Sequence, residues 1–191
     1  MKKNLVIIAL AASLAAGVLY FEVRPYYAGV YLREGTELAN SWKYQEALKD
    51  FDKALWLRPD YAAALSARGY ALANLGKNEE ALQTINKAIG LNPDNPEVWD
   101  AKGLLLAKFG RYREALDAHN KAISIDPYFA SAWYNLACTY ALEGDKKSAL
   151  NDLTRAFALD NSLKKPASTD KDLQSLRQDP DFQKLIQPNF P

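Results

Sequence analysis

Few residues in this sequence could do covalent or acid–base chemistry, and their spacing argues against it. One histidine, His119, and one cysteine, Cys138, occur in 191 residues, and Met1 is the single methionine. A histidine base works on a nucleophile and is oriented by a third group, and nothing stands at a recognisable spacing from His119. A lone cysteine forms neither an intramolecular disulfide nor a multi-cysteine metal site. No glycine-rich phosphate loop, HExxH or CxxC is present. The carboxylates Glu79 and Glu80, like Asp50 and Asp52, have lysines close by, as solvated faces do. His119 is therefore read as a packing residue. No enzyme, cofactor or metal is expected.

Charge narrows the partner classes. Lys and Arg number 24 against 23 Asp and Glu, so no net field favours nucleic acid. Hydrophobic residues make up 49% of the chain, enough for one modest domain with an additional segment.

The elements that could position a binding surface recur every 34 residues. Ala47, Ala81, Ala115 and Ala149 keep that step, as do Ala54, Ala88, Ala122 and Ala156. Gly35, Gly69 and Gly103 share another phase, with Ala137 in the fourth place, and Pro59, Pro93 and Pro127 close three units. Trp99 and Trp133 open two of them. Glycine inside a helix costs about 1 kcal/mol relative to alanine, so its recurrence at one phase points to close helix–helix approach. Phe51, Ile85, His119 and Leu153 each follow the repeated alanine by one helical turn. Gly76, Gly110 and Gly144 mark breaks between helices, and Trp42 stands in that place in the first unit. Asn95-Pro96-Glu97 reads as an N-cap, a first-turn proline and a dipole-favoured acid. The spacing predicts helices at 28–41, 44–57, 62–75, 78–91, 96–109, 112–125, 130–143 and 146–159.

This pattern resembles the tetratricopeptide repeat (TPR) family over residues 28–161, matching its W-x2-L-G-x2-Y, A-x3-F and P signature. The resemblance implies an all-α TPR solenoid of four helix pairs, with units at 28–61, 62–95, 96–129 and 130–161. It also implies that the first helix of each pair lines a concave groove that takes a protein or peptide segment. Carried onto this chain, the groove comprises Leu32 and Thr36; Ser66, Tyr70 and Asn74; Glu97, Asp100 and Leu104; and Tyr134 and Cys138. Asn40, Lys108 and Leu142 fall on the same stripes. Sites that hold a chaperone's C-terminal carboxylate in some relatives correspond here to Leu32, Thr36, Ala67, Glu97 and Ala101. None is basic, so no carboxylate clamp is expected. Glu97 and Asp100 would instead favour a partner with apolar anchors and a basic residue.

The two ends depart from the repeat. Leu5 to Phe21 is an unbroken apolar run of seventeen residues after Lys2 and Lys3. Residues 1–27 are read as a transmembrane anchor with aromatic flanks, or as a signal peptide, giving a hydrophobic N-terminal helix. The basic start favours a cytoplasmic N-terminus with periplasmic repeats; the alternative is a secreted or periplasmic protein. Residues 162–191 are read as a linker at Lys164–Thr169 followed by a cap. In that cap Leu173, Leu176, Phe182, Leu185 and Ile186 cover the last repeat, and Asp179-Pro180 starts a helix. Trp42 and Trp56 are expected to cap the start of the array. The functional expectation is a membrane-anchored adaptor or assembly factor that binds other proteins. Alternatives are a secreted or periplasmic soluble TPR protein after signal cleavage, and a regulatory subunit of an enzyme complex.

Overall fold

A computed structural model describes residues 23–187, and among them every regular element is helical. Helix α1 covers 23–40 of the described chain. It is followed by α2 (Tyr44–Leu57), α3 (Ala62–Asn74), α4 (Asn78–Leu91), α5 (Pro96–Lys108), α6 (Tyr112–Ile125), α7 (Ala130–Glu143) and α8 (Lys146–Leu159). Two short helices, α9 (Lys164–Ala167) and α10 (Pro180–Leu185), and two 3-10 turns, Asn161–Leu163 and Gln174–Leu176, follow among the described residues. The chain divides into two compact units, one ending at Lys77 and the other starting at Asn78.

In the first unit the repeated small residues do what their spacing predicts. A Cβ on Gly35 would lie 2.6 Å from Cε1 of Phe51 and 3.2 Å from the Ala47 carbonyl. The absent side chain thus lets α1 approach α2 closely enough to bury Phe51 and Ala47. Arg68 of α3 reaches back to Asp52 of α2 at 2.8 Å. The turn between α1 and α2 holds Trp42 at φ 62°, while Gly76, Gly110 and Gly144 take φ 76°, 73° and 95° in the later turns. These residues bend the chain so that the following N–H groups return to the last turn: Lys43 to Leu38, Lys77 to Leu72, Arg111 to Leu106 and Asp145 to Tyr140. That is the left-handed helix ending glycine normally supplies. Trp42 takes it with a bulky side chain.

In the second unit α5 packs on α6, α6 on α7, and α7 on α8. Asn95 caps α5 by accepting from the Glu97 N–H at 2.9 Å, with Pro96 in the first turn. The indoles of Trp99 and Trp133, 34 residues apart, donate to the carbonyls of Pro93 and Pro127 at 2.7 and 3.0 Å. Each ties the start of a first helix to the turn before it. The C-terminal segment closes this unit. Leu173, Leu176, Phe182 and Leu185 are buried among residues of α7 and α8, with Ile186 packed at the margin. Asp179 caps α10 by accepting from the N–H groups of Asp181 and Phe182.

Three expectations are corrected here, and a fourth falls outside the described residues. Residues 164–169 are no linker: Lys164 and Ala167 are buried within α9. Trp42 and Trp56 bury little, at 80% and 68% exposure, so neither caps the array. The single-pass localisation is not supported, because among the described residues no helix is long and apolar enough to cross a membrane. The run Leu5–Phe21, with its expected hydrophobic helix, lies outside the described residues.

Candidate functional site: the inner stripe of the first helices

The stripe expected to meet a partner is divided by its surroundings, and each unit treats it differently. In the first unit it lies on α1 and α3. Thr36 is exposed and turns its Oγ1 onto the Leu32 carbonyl at 2.7 Å, while Leu32 itself is half-buried. Ser66 and Asn74 are half-buried, and Asn74 Nδ2 donates to the Tyr70 carbonyl at 2.9 Å. Tyr70, between them on the helix, is 49% exposed. Its ring stands edge-on to Tyr44, centroids 6.2 Å apart at 71°, and Tyr44 stands edge-on to Trp42 at 6.2 Å and 76°. Burial, with the neighbouring Tyr70 adding, pushes the Tyr44 hydroxyl above the ordinary phenol range. Rings in this geometry attract through their quadrupoles. Trp42 and Tyr44 are absent from the sequence-derived stripe. Their signal is the tryptophan in a glycine position, immediately before the second helix.

In the second unit α5 carries Glu97, Asp100 and Leu104. Glu97 is exposed, and Leu104 is 43% exposed. Asp100 points inward instead. It is buried, and its Oδ1 accepts from His119 Nδ1 of α6 at 2.7 Å while its Oδ2 accepts from Asn135 Nδ2 of α7 at 2.9 Å. One carboxylate thereby joins three helices. A buried carboxylate without such partners would carry the full desolvation penalty. The expected attraction of Asp100 for a partner's basic residue is accordingly replaced by an internal role. His119 is fully buried, in agreement with a packing residue.

On α7 the stripe is covered by the chain itself. The Tyr134 hydroxyl donates to Asp170 Oδ2 at 2.6 Å, Cys138 Sγ lies 3.9 Å from the same oxygen, and Ser175 Oγ donates to the Ala141 carbonyl at 3.2 Å. Tyr134 and Cys138 are 9% and 6% exposed. Burial, then the bond to Asp170, raises the Tyr134 hydroxyl far above the phenol range; burial likewise raises the Cys138 thiol, with Asp170 adding to it. Both therefore stay protonated and act as donors. The cover comes from the segment after α8, which brings Asp170 and Ser175 onto α7 while Leu173 and Leu176 are buried in the same cluster. The structure thus leaves Leu32, Thr36, Ser66, Tyr70 and Asn74 on one unit, and Glu97 and Leu104 on the other, apart from this cover. Tyr134, Cys138 and Asp100 are withdrawn. Among the described residues no three His, Cys, Asp or Glu side chains converge as metal ligands would.

Profiles of the tetratricopeptide repeat match residues 39–105, 96–129 and 120–151. With the helix pairs and the 34-residue phase, these matches place the chain in the tetratricopeptide-repeat family, whose members are generally non-catalytic scaffolds. Among solved structures, MamA from Desulfovibrio magneticus RS-1 is similar at 25% identity and a TM-score of 0.57, covering 71% of this chain and 76% of that one. A thermophilic TPR protein from Thermus thermophilus shares 21% identity at a TM-score of 0.71, over 83% of this chain and 86% of its own. PilF of Pseudomonas aeruginosa shares 18% identity at a TM-score of 0.68, over 85% and 72%. The last two likenesses concern the fold. No curated protein matches the sequence significantly.

Proposed function

We propose that this chain is a protein-interaction module in which each unit offers a first helix to a peptide or protein segment of a partner, α3 through Tyr70 and α5 through Leu104. The observation that carries the reading is an equivalence. Tyr70 and Leu104 sit one repeat period apart on first helices, and both keep large apolar surface in water, at 49% and 43% exposure. Exposed side chains of this size are scattered singly on most surfaces, but recurrence at one repeat phase marks a position that the repeat itself presents to a partner. Tyrosine is enriched among residues whose truncation weakens an interface by about 2 kcal/mol or more. Thr36 holds the same phase on α1, Asn74 follows Tyr70 by one helical turn, and Glu97 precedes Leu104 by two, so polar and acidic groups lie along the same stripes.

Partner capture by the full chain, compared with a Tyr70→Ala/Leu104→Ala double variant of unchanged helicity, tests this reading. Both side chains are exposed, so the variant is expected to fold and to lose the partner. Undiminished capture moves the binding surface off these helices.

A further inference from the structure

The chain carries its own example of what sits on an inner stripe. On α7, Asp170 Oδ2 accepts from the Tyr134 hydroxyl at 2.6 Å and lies 3.9 Å from Cys138 Sγ. Three residues on, Leu173 is 0% exposed in the same cluster as Tyr134 and Cys138. The occupant of that stripe is thus a carboxylate followed, at the third residue, by a large apolar side chain.

Tyr70 stands two repeat periods before Cys138, at the same phase of α3. Of the four residues at this phase it alone offers an uncovered donor. Thr36 Oγ1 is turned onto the Leu32 carbonyl, Leu104 has no donor, and Cys138 is covered. A phenol both donates and accepts, so the contact between the Tyr44 and Tyr70 side chains leaves one hydroxyl proton uncommitted.

Charge at this surface agrees with an acidic occupant. Lys43, exposed between Trp42 and Tyr44 in sequence, has no ion-pair partner among the described residues. Glu46 follows Lys43 as Glu114 follows Arg111 two periods later, yet of these two pairs only the later closes, at 2.6 Å. Trp42 beside it holds φ 62° with a ring that is 80% exposed, so the strain finds no return in burial. Strain of that kind gathers where a surface meets a ligand.

We propose, on the footing that Tyr70 marks a binding surface, that α3 and its ring row take a partner segment of the same make as the chain's own cover: an internal Asp or Glu followed three residues later by Leu or a side chain like it. The carboxylate accepts from the Tyr70 hydroxyl in a charge-assisted bond and is drawn in by the unpaired Lys43. The apolar side chain lies against the Trp42 and Tyr44 rings, which bury area at little entropic cost. The stripe of α5 disfavours the same segment, because Glu97 is exposed there and Asp100, at the phase of Tyr134, is an acid tied to His119. The two stripes therefore select opposite charges.

The test uses the full chain and three acetylated, amidated peptides: Thr-Asp-Gln-Asn-Leu-Gln-Ser-Leu-Gln, which is the sequence of 169–177 with its other charges neutralised, and its counterparts with Asn or Lys in place of Asp. Binding is read from the indole N–H resonance of Trp42 and the backbone resonances of Tyr70 and Leu104. The Asp peptide is expected to shift Trp42 and Tyr70 to saturation, to leave Leu104 in place, and to bind roughly fivefold more tightly than the Asn peptide, with the Lys peptide weakest. Raising NaCl from about 50 to about 500 mM should narrow the difference. Lys43→Gln should erase most of the preference for Asp over Asn, and Tyr70→Phe should weaken the Asp peptide more than the Asn peptide. Both substitutions are at exposed positions, so the fold is expected to persist. Equal shifts at Tyr70 from all three peptides overturn the acid selection while leaving Tyr70 as a binding surface. The absence of any shift at Trp42 and Tyr70 overturns the proposal; if partner capture by the Tyr70→Ala/Leu104→Ala variant is also undiminished, the inner stripe falls with it. Shifts at Trp42 that depend on protein concentration without peptide overturn it too, by assigning the ring row to a second copy of the chain.

Discussion

A Cβ placed on Gly103 would fall 2.6 Å from both ring nitrogens of His119, so the glycine of α5 and the histidine of α6 share one space. The ring cannot retreat, because Asp100 holds Nδ1 at 2.7 Å. Gly103→Ala gains about 1 kcal/mol of helix propensity. Overpacking of a fixed, buried ring typically costs about 1–3 kcal/mol. The clash is expected to dominate, lowering stability to urea. The same glycine substitution in a His119→Ala background should regain its propensity benefit, since the obstacle is gone. Equal effects in the two backgrounds would show that the ring is not what excludes the side chain.

His119→Leu restores the apolar character that the other units have at this phase in Phe51, Ile85 and Leu153. It nevertheless strands Asp100, which keeps only Asn135 at 2.9 Å. Removing one partner of a buried polar pair leaves a desolvated group, at a cost of about 1–3 kcal/mol. The double variant Asp100→Leu/His119→Leu removes both polar groups, and Leu32 shows that a leucine is accommodated at that phase in the first unit. Urea midpoints should therefore fall for His119→Leu and recover in the double variant. A double variant less stable than the single one would mean that the polar pair itself holds α5, α6 and α7.

These two pairs mark the limit of what the sequence discloses. Helix spans are legible because a period of 34 repeats its small residues and breaks four times over. The close approach at Gly35 and Gly103 is legible for the same reason. The Asp100–His119–Asn135 link is not, since its members lie on three helices and the other units repeat neither the acid, the histidine nor the amide at those phases. Tyr134 and Cys138 read as stripe residues by phase alone. Their cover, Asp170 and Ser175, comes from a segment outside the period, which periodicity cannot place. Trp42 is legible as an anomaly, a tryptophan where the pattern has glycine, but its ring row with Tyr44 and Tyr70 needs the turn geometry.

Trp42 carries a further consequence. At φ 62° its backbone lies in the left-handed region, where a side chain costs about 1–2 kcal/mol. Its ring is 80% exposed, so the edge-on contact with Tyr44 is worth the low end of about 0.5–1.5 kcal/mol. Trp42→Gly should therefore raise stability by roughly 0.5–1 kcal/mol, seen as a higher thermal midpoint. A lower midpoint would mean that the ring row contributes more than the strained backbone costs.

Asp152 of α8 sets the pH dependence that the second unit should show. Its side chain is 6% exposed, and its nearest donor, Asn151 Nδ2, is distant at 3.4 Å. Burial raises its pKa to about 6 from an ordinary 3.8, with the charge of Asp145 adding to the shift. A folded-state value above the unfolded one means that folding favours the protonated carboxyl. This contribution is fully present below about pH 4 and is lost as pH rises through 6. At pH 8 the folded chain carries a buried, poorly compensated charge, a penalty of roughly 2–3 kcal/mol from the size of the shift. Asp152→Asn keeps the shape without the charge. Its stability should equal the parent's near pH 4 and exceed it by up to that amount at pH 8, measured by urea unfolding of the full chain across the range. Parallel profiles from pH 4 to 8 would show that Asp152 is solvated well enough to ionise in the fold without loss.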